Sequence, residues 1–347
     1  MSTTPATDER VRKASLLTRA LRRTEVGSLL GAIAIFILFS ATDTTGNFGQ
    51  LPGIAGWTDI AAPIGIVAIA VALLMIAGEF DLSSGVIVGT TGLIIGMLVQ
   101  EFNMNIWLAI LLAMIFAAGI GLMNGYLVVK TKLPSFIITL ATFFVLKGAN
   151  MAFTMIVTGS VRVTGTDKAP GFKSAFDLFS GTFKIGTESF QNSLLWWVGL
   201  AIVATVVLTR TKFGNWIFAA GGDANAARNA GVPVARTKIS LFVLTSLAGA
   251  LVGTIDVLRL QGMQAGQGVG QEFYYIIAAA VGGTLLTGGA GSAIGASIGA
   301  IIMGMAYIGI PFSLWNSDWT STFLGIILFS AVMINTYIGR KAAGGKR

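Results

Sequence analysis

Ten apolar runs, separated by polar or glycine-rich breaks, organise the chain: Val26 to Ala41, Ile60 to Ala77, Leu82 to Val99, Ile106 to Val129 and Phe136 to Val157, followed by Leu194 to Thr209, Ile239 to Ile255, Phe273 to Leu286, Ser292 to Ile310 and Thr320 to Tyr337. Several approach the roughly 20 residues that cross a bilayer core. The pattern predicts an all-α integral membrane protein of about ten transmembrane helices. Residues 26–340 are expected to form one membrane domain, with the insert 159–193 on its outer side, flanked by a basic segment at 1–25 and a tail at 341–347. The first run carries no cleavage signal and leads straight into further spans. The one long insert, Gly159 to Ser193, is nearly neutral and contains five Phe; a lid and a plain connector both suit it.

Charge placement adds an orientation. Arg10, Arg12, Lys13, Arg19, Arg22 and Arg23 precede the first run; Lys130 and Lys132 follow the fourth. Arg210, Lys212, Arg228, Arg236 and Lys238 follow the sixth, and Arg340, Lys341, Lys346 and Arg347 end the chain. With ten crossings every one of these clusters lies on one side, and basic loops are retained in the cytoplasm. Both termini are therefore expected inside. The net charge of +8 is a topology signal, not a nucleic-acid patch.

Charged residues are only 11% of the chain against 54% hydrophobic, far from the roughly 25% charged of a soluble domain. The 45 Gly without a collagen period point to close helix packing. Gly85 and Gly89 are four apart, as are Gly121 and Gly125, and Gly249 and Gly253; Gly291, Gly295 and Gly299 form a row. Such spacing puts small residues on one helix face. No Cys or His is present, which excludes disulfides, thiol chemistry, His-based acid–base catalysis and zinc sites with N or S ligands. No GxxxxGK[ST] occurs, so the chain carries no P-loop of its own.

Three segments interrupt the apolar pattern. In the cytoplasmic loop 210–238, Asp223 suits the N-cap of a short helix through Asn225, Ala226, Ala227 and Arg228; Gly231 supplies a left-handed stop and Pro233 bars continuation. A capped peg of this kind is a candidate docking element, and a self-satisfied connector is the plain alternative. GEFDLSSG at Gly78 to Gly85 brings Glu79, Asp81 and Ser83 between two spans. These are either groups of a solute path or gate, since ionisable residues at membrane depth are functional candidates, or interface caps for the helix beginning at Leu82 or Ser84. GGTLLTGGAGSAIG from Gly282 to Gly295, with Gly288 and Gly289, is a second break, and discontinuous helices commonly line transporter paths. Lys147 is an ionisable group inside the fifth span, expected to find a carbonyl or carboxylate partner or to snorkel. Phe136, Thr139, Thr142, Phe143 and Asn150, with Gln271, Tyr274 and Tyr275, have the aromatic and hydrogen-bonding chemistry a sugar needs; ordinary bundle packing explains each equally simply.

Four blocks, in order, resemble the permease subunits of bacterial carbohydrate ABC importers of the ribose/xylose/arabinose/galactose type. They are GEFDLSSG, MNGYLVVKTKLPSFIITLATFFVLKG (Met123 to Gly148), GNWIFAAGGDANAARNAGVPVARTK (Gly214 to Lys238) and AAVGGTLLTGGAGSAIGASIGAIIMG (Ala279 to Gly304). Glu79-Phe80 stands where Gly-Ile is common in the family, and Asp223 where Asn is common. The resemblance implies a multi-pass permease of the bacterial cytoplasmic membrane that imports a monosaccharide. It implies a second permease copy, identical or related, an extracytoplasmic solute-binding protein, and a cytoplasmic ABC ATP-binding subunit that holds ATP and Mg. The chain itself would hold no cofactor or metal and catalyse nothing. Asp223 to Gly231 would be the coupling helix, with Arg236 beside it. Nucleosides or another small polar solute are the alternative cargo, and a proton-coupled secondary transporter using Glu79, Asp81 or Lys147 the alternative mechanism.

Overall fold

The computed structural model describes residues 24–344; the basic segments 1–23 and 345–347 lie outside the described residues. The chain is an all-α membrane protein with small β elements confined to its outer loops. Five long helices open it: α1 (Thr24–Thr42), α2 (Leu51–Ile76), α3 (Ser84–Phe102), α4 (Ile106–Thr131) and α5 (Ser135–Thr158). An outer excursion follows, with β1 (Arg162–Thr164), α6 (Phe172–Phe179), β2 (Thr182–Ile185) and β3 (Glu188–Gln191). Then come α7 (Ser193–Arg210), α8 (Lys212–Gly222), α9 (Ala224–Asn229), α10 (Val234–Arg259), β4 (Gly262–Gln264), α11 (Gln271–Val281), α12 (Ala293–Phe312) and α13 (Thr320–Gly344). Among the described residues eight helices are long and apolar enough to cross a membrane. The other two expected spans are the 11-residue α11 and α13, and α13 runs on through the boundary expected for the tail.

Local chemistry sets the helix ends. Pro52 opens α2, where a missing N–H costs nothing. Asn105 caps α4 by accepting from Trp107 N at 3.0 Å, and Gly159 closes α5 in the left-handed region at φ 68°. Three sequence boundaries move. α2 begins nine residues before Ile60, because Asp59 is inside the helix and pairs with Arg259 at 2.8 Å. α10 begins at Val234 rather than Ile239, because Lys238 finds a carboxylate. The eighth run is helical only to Val281, where Gly282 and Gly283 turn the chain although Leu285 and Leu286 remain apolar.

The glycine positions do bring backbones together, though not always helix to helix. α10 is the central rod against which α4, α3 and α2 lie. A methyl group at Gly121 of α4 would stand 2.6 Å from the Phe242 carbonyl oxygen, and one at Gly249 of α10 would stand 3.1 Å from that of Ser84. Gly85 and Gly89 face no helix flank: they admit the strap that leads from β4 to α11, meeting Gly268, Gln267 and Glu272. Gly295 and Gly299 of α12 press on Gly282 and Ala278. Gly291 does not belong to that row, since α12 starts after it and its φ is 153°.

Two faces result. Thr44 N donates to the Phe312 carbonyl at 3.0 Å and β1 pairs antiparallel with β4, so the ends of α1, α12, α5 and α10 share one face. The outer loop 159–193 is folded onto this face rather than free. Phe179 stacks on Trp196 at 5.4 Å, and Phe183 on Phe190 across the β2–β3 hairpin at 5.9 Å. The opposite face carries Lys132, Arg210, Lys212, Arg228, Arg236 and Lys238, the side on which basic loops are expected to be retained, and is termed the cytoplasmic face below.

Candidate functional site at the cytoplasmic face

The peg is α9. The Asp223 Oδ1 accepts from Asn225 N and Ala226 N, both at 2.9 Å, as an N-cap does. Val232 N returns to the Ala227 carbonyl at 3.0 Å, and Gly231 stands at φ 83°, where an L side chain would be strained. Ala227 is buried and anchors the peg to the bundle; Asp223, Ala226, Arg228, Gly231 and Arg236 are exposed. Arg228 is braced by Asn225 at 3.2 Å. A small apolar root and a basic, solvent-facing crown suit a protein partner.

Glu79 belongs to this face. Its Oε1 lies 2.5 Å from Nζ of Lys238, with both side chains largely buried. The carboxylate caps no helix; it ties the α2–α3 break to the start of α10. A cavity of about 340 Å³ opens beside the pair, with Arg228, Asn225, Lys132 and Leu133 also on its walls.

Asp81 lies deeper, with no exposed surface. Its Oδ1 accepts from Ser83 N at 2.8 Å and Ser83 Oγ at 2.5 Å. Ser83 Oγ in turn accepts from Asn124 Nδ2 at 3.0 Å, and Asn124 Oδ1 accepts from Thr142 Oγ1 at 2.6 Å. Ser83 stands at the N-cap of α3 by position, yet its side chain bonds no helix N–H. The free backbone of the break is satisfied by α5 instead: Phe80 N donates to Ser135 Oγ at 3.0 Å and Leu82 N to Thr139 Oγ1 at 3.1 Å. A buried interruption must find such partners.

The two broken segments converge. Gly289 N donates to the Ile76 carbonyl at 2.8 Å, and a methyl group at Gly288 would be 2.9 Å from the Gly221 carbonyl oxygen. A methyl at Gly221 would collide with the Ile76 carbonyl. The ends of α2, α8 and the α11–α12 break thus meet backbone to backbone beside the peg.

The solute candidates do not form one group. Thr139, Thr142 and Asn150 are on the buried face of α5, while Phe136 is 52% exposed on the other. Among the described residues Lys147 makes no hydrogen bond or close ion pair, though the Glu272 carboxylate feels its charge; its ammonium stands 5.8 Å from the Phe143 ring centroid, and α5 runs unbroken through Gly148. Sequence reasoning passed over Asn124, Ser135, Gly221 and the pairing role of Lys238. Only Asn124 carried a signal, as an amide inside an otherwise apolar run.

This arrangement is that of a multi-pass transport permease. Residues 53–332 match the family described as branched-chain amino acid transport system / permease component, and the chain belongs to that family. It is 30% identical over 305 residues to the ribose import permease protein RbsC of Escherichia coli K12, covering 87% of this chain and 92% of that one. Identity is also 30% to RbsC of Bacillus subtilis, over 90% of this chain and 92% of the relative, and to the fructose import permease protein FrcC of Rhizobium meliloti, over 81% and 77%. No solved structure matches.

Proposed function

We propose that the chain is the membrane-spanning subunit of an ATP-driven importer of a monosaccharide in the inner membrane. Two copies would form the translocation unit, with an ABC ATP-binding subunit on the cytoplasmic face and a solute-binding protein on the outer one. The observation that carries the reading is α9, a six-residue peg capped by Asp223, rooted by Ala227 and crowned by exposed Arg228 and Arg236. The ribose and fructose permeases it resembles supply the cargo class.

Nucleotide closure of the ATPase pair would move the two pegs. Each peg is joined through Lys238–Glu79 and the glycine junction to the α2–α3 and α11–α12 breaks, so its displacement would reach both interruptions. The cavity beside Lys238, with Arg228 and Lys132 on its rim, suits an acidic side chain of the ATPase. Uptake of labelled ribose and fructose by vesicles holding the whole transporter, with and without ATP, tests the function. Mass spectrometry of what co-purifies in mild detergent tests the partners: a P-loop ATPase is the expected companion, and ATP-independent, proton-driven flux would overturn the reading.

A further inference from the structure

On the outer half of the bundle a second cavity of about 340 Å³ lies between α2, α10, the strap and α11–α12. Its largely apolar walls carry Asp59, Asp256, Arg259, Gln267 and Gln271, in a region where polar groups are costly. Asp256 is 8% exposed, and among the described residues its carboxylate makes no hydrogen bond or ion pair. Arg259 attracts this carboxylate and Asp59 repels it, and its oxygens keep accepting capacity for a donor in the cleft. Pro63 within α2 has no N–H for the carbonyl of Asp59, so that acceptor on the same wall lacks its regular helical donor.

Donors and a flat surface stand opposite. Gln271 accepts from Tyr275 Oη at 2.7 Å through its amide oxygen, leaving its amide nitrogen to donate. Tyr274 and Tyr307 meet edge to face at 5.9 Å and present a ring to the cavity. Arg259, paired to Asp59, closes the outer side. Inward of the cleft, α2 is buried without a break from Ile64 to Ile76. The volume is at the small end of ligand pockets, which begin near about 300 Å³.

We propose that this outer cleft is a monosaccharide-holding site within each copy of the chain. In it Asp256 and the Asp59 carbonyl accept from sugar hydroxyls, Gln271 donates, and the Tyr274–Tyr307 pair covers the apolar face of the ring. The inference rests on the sugar-importer reading and adds to it a resting place inside the single protomer, reached from the outer side.

The absence of Cys makes the test direct. Gln267→Cys, on the wall of the cleft, and Thr187→Cys, on the exposed hairpin turn, are labelled separately in the full transporter with a water-soluble thiol reagent from outside. D-ribose or D-fructose is expected to slow labelling of Gln267→Cys about fivefold, the factor given by four-fifths occupancy, and to leave Thr187→Cys unchanged. Raffinose, too large for the cleft, and choline, a cation, should protect neither. Asp256→Asn in the Gln267→Cys background should abolish the protection while the cysteine still labels and the protein keeps its elution volume. Labelling that no sugar slows, protection by choline instead, or protection that survives Asp256→Asn overturns the site. ATP-driven sugar uptake in the same vesicles, present or absent, separates loss of this site from loss of the importer reading.

Discussion

Lys238 in the second turn of α10 and Glu79 just beyond α2 are 159 positions apart in sequence, yet their charged atoms stand 2.5 Å apart. The pair joins the segment that bears the peg to the break that opens α3. Removing either partner strands the other in a nearly buried setting. Glu79→Gln and Lys238→Met should each cost about 2 kcal/mol, less than a wholly buried pair loses, read as a lower Tm in detergent. The double variant Glu79→Gln/Lys238→Met should recover a good part of it. Additive losses would show that the ion pair contributes nothing.

Arg228 does not hold the fold together; it stands on the solvent side of α9. Arg228→Glu should leave membrane insertion and thermal stability unchanged, within about 0.5 kcal/mol. Retention of the ATPase on an affinity column should fall about tenfold or more, as reversing a charge in an interface does. Unaltered retention with normal uptake would remove Arg228 from the docking surface.

Asn124 bridges Ser83 and Thr142 with both ends of its amide. Asn124→Leu should destabilise the protein by about 2 kcal/mol, because Ser83 and Thr142 each lose a buried partner. Asn124→Asp would set a second carboxylate near Asp81 and should be worse. Thermal unfolding of the three proteins side by side decides the order.

Two glycines in the same chain should behave oppositely. Gly221→Ala puts a methyl into the Ile76 carbonyl at the three-segment junction and should cost about 1–3 kcal/mol or prevent folding. Gly148→Ala meets nothing within 4 Å and lies within α5, so it should be neutral or stabilise by about 0.5–1 kcal/mol. Yields of folded protein from size-exclusion chromatography make the comparison.

Features whose causes are local were legible in the sequence. The peg was written within eleven consecutive residues: Asp223 to cap it, Gly231 to stop it, Pro233 to bar continuation. The positions of close approach were legible too, since Gly85 and Gly89 admit a backbone wherever they fall. What approaches them was not, because the strap is polar and irregular and carries no helical period. The ion pair of Glu79 was not legible, because Lys238 lies 159 positions along the chain. Asp59 and Lys238 fall just outside the apolar runs that begin at Ile60 and Ile239, and each lies inside its helix because it has an opposite charge there. The apolar run after Ala279 likewise hid the end of α11, since composition does not register that Gly282 and Gly283 turn the chain.

The 26 residues of α10 contain no Pro, and the helix runs without interruption from the foot of the peg to Arg259 at the outer cleft. Such a rod is about 39 Å long, so a tilt of about 5° pivoting at one end swings the other by about 3 Å. It works as a lever. β4, three residues past the end of the rod, is laced to β1, just past the end of α5, so the swing would drag that helix along. A push on α9 by a nucleotide-driven partner would thus arrive at Asp256 and Arg259 as sideways travel, enough to stretch the Arg259–Asp59 pair and loosen a small polar molecule held beside it.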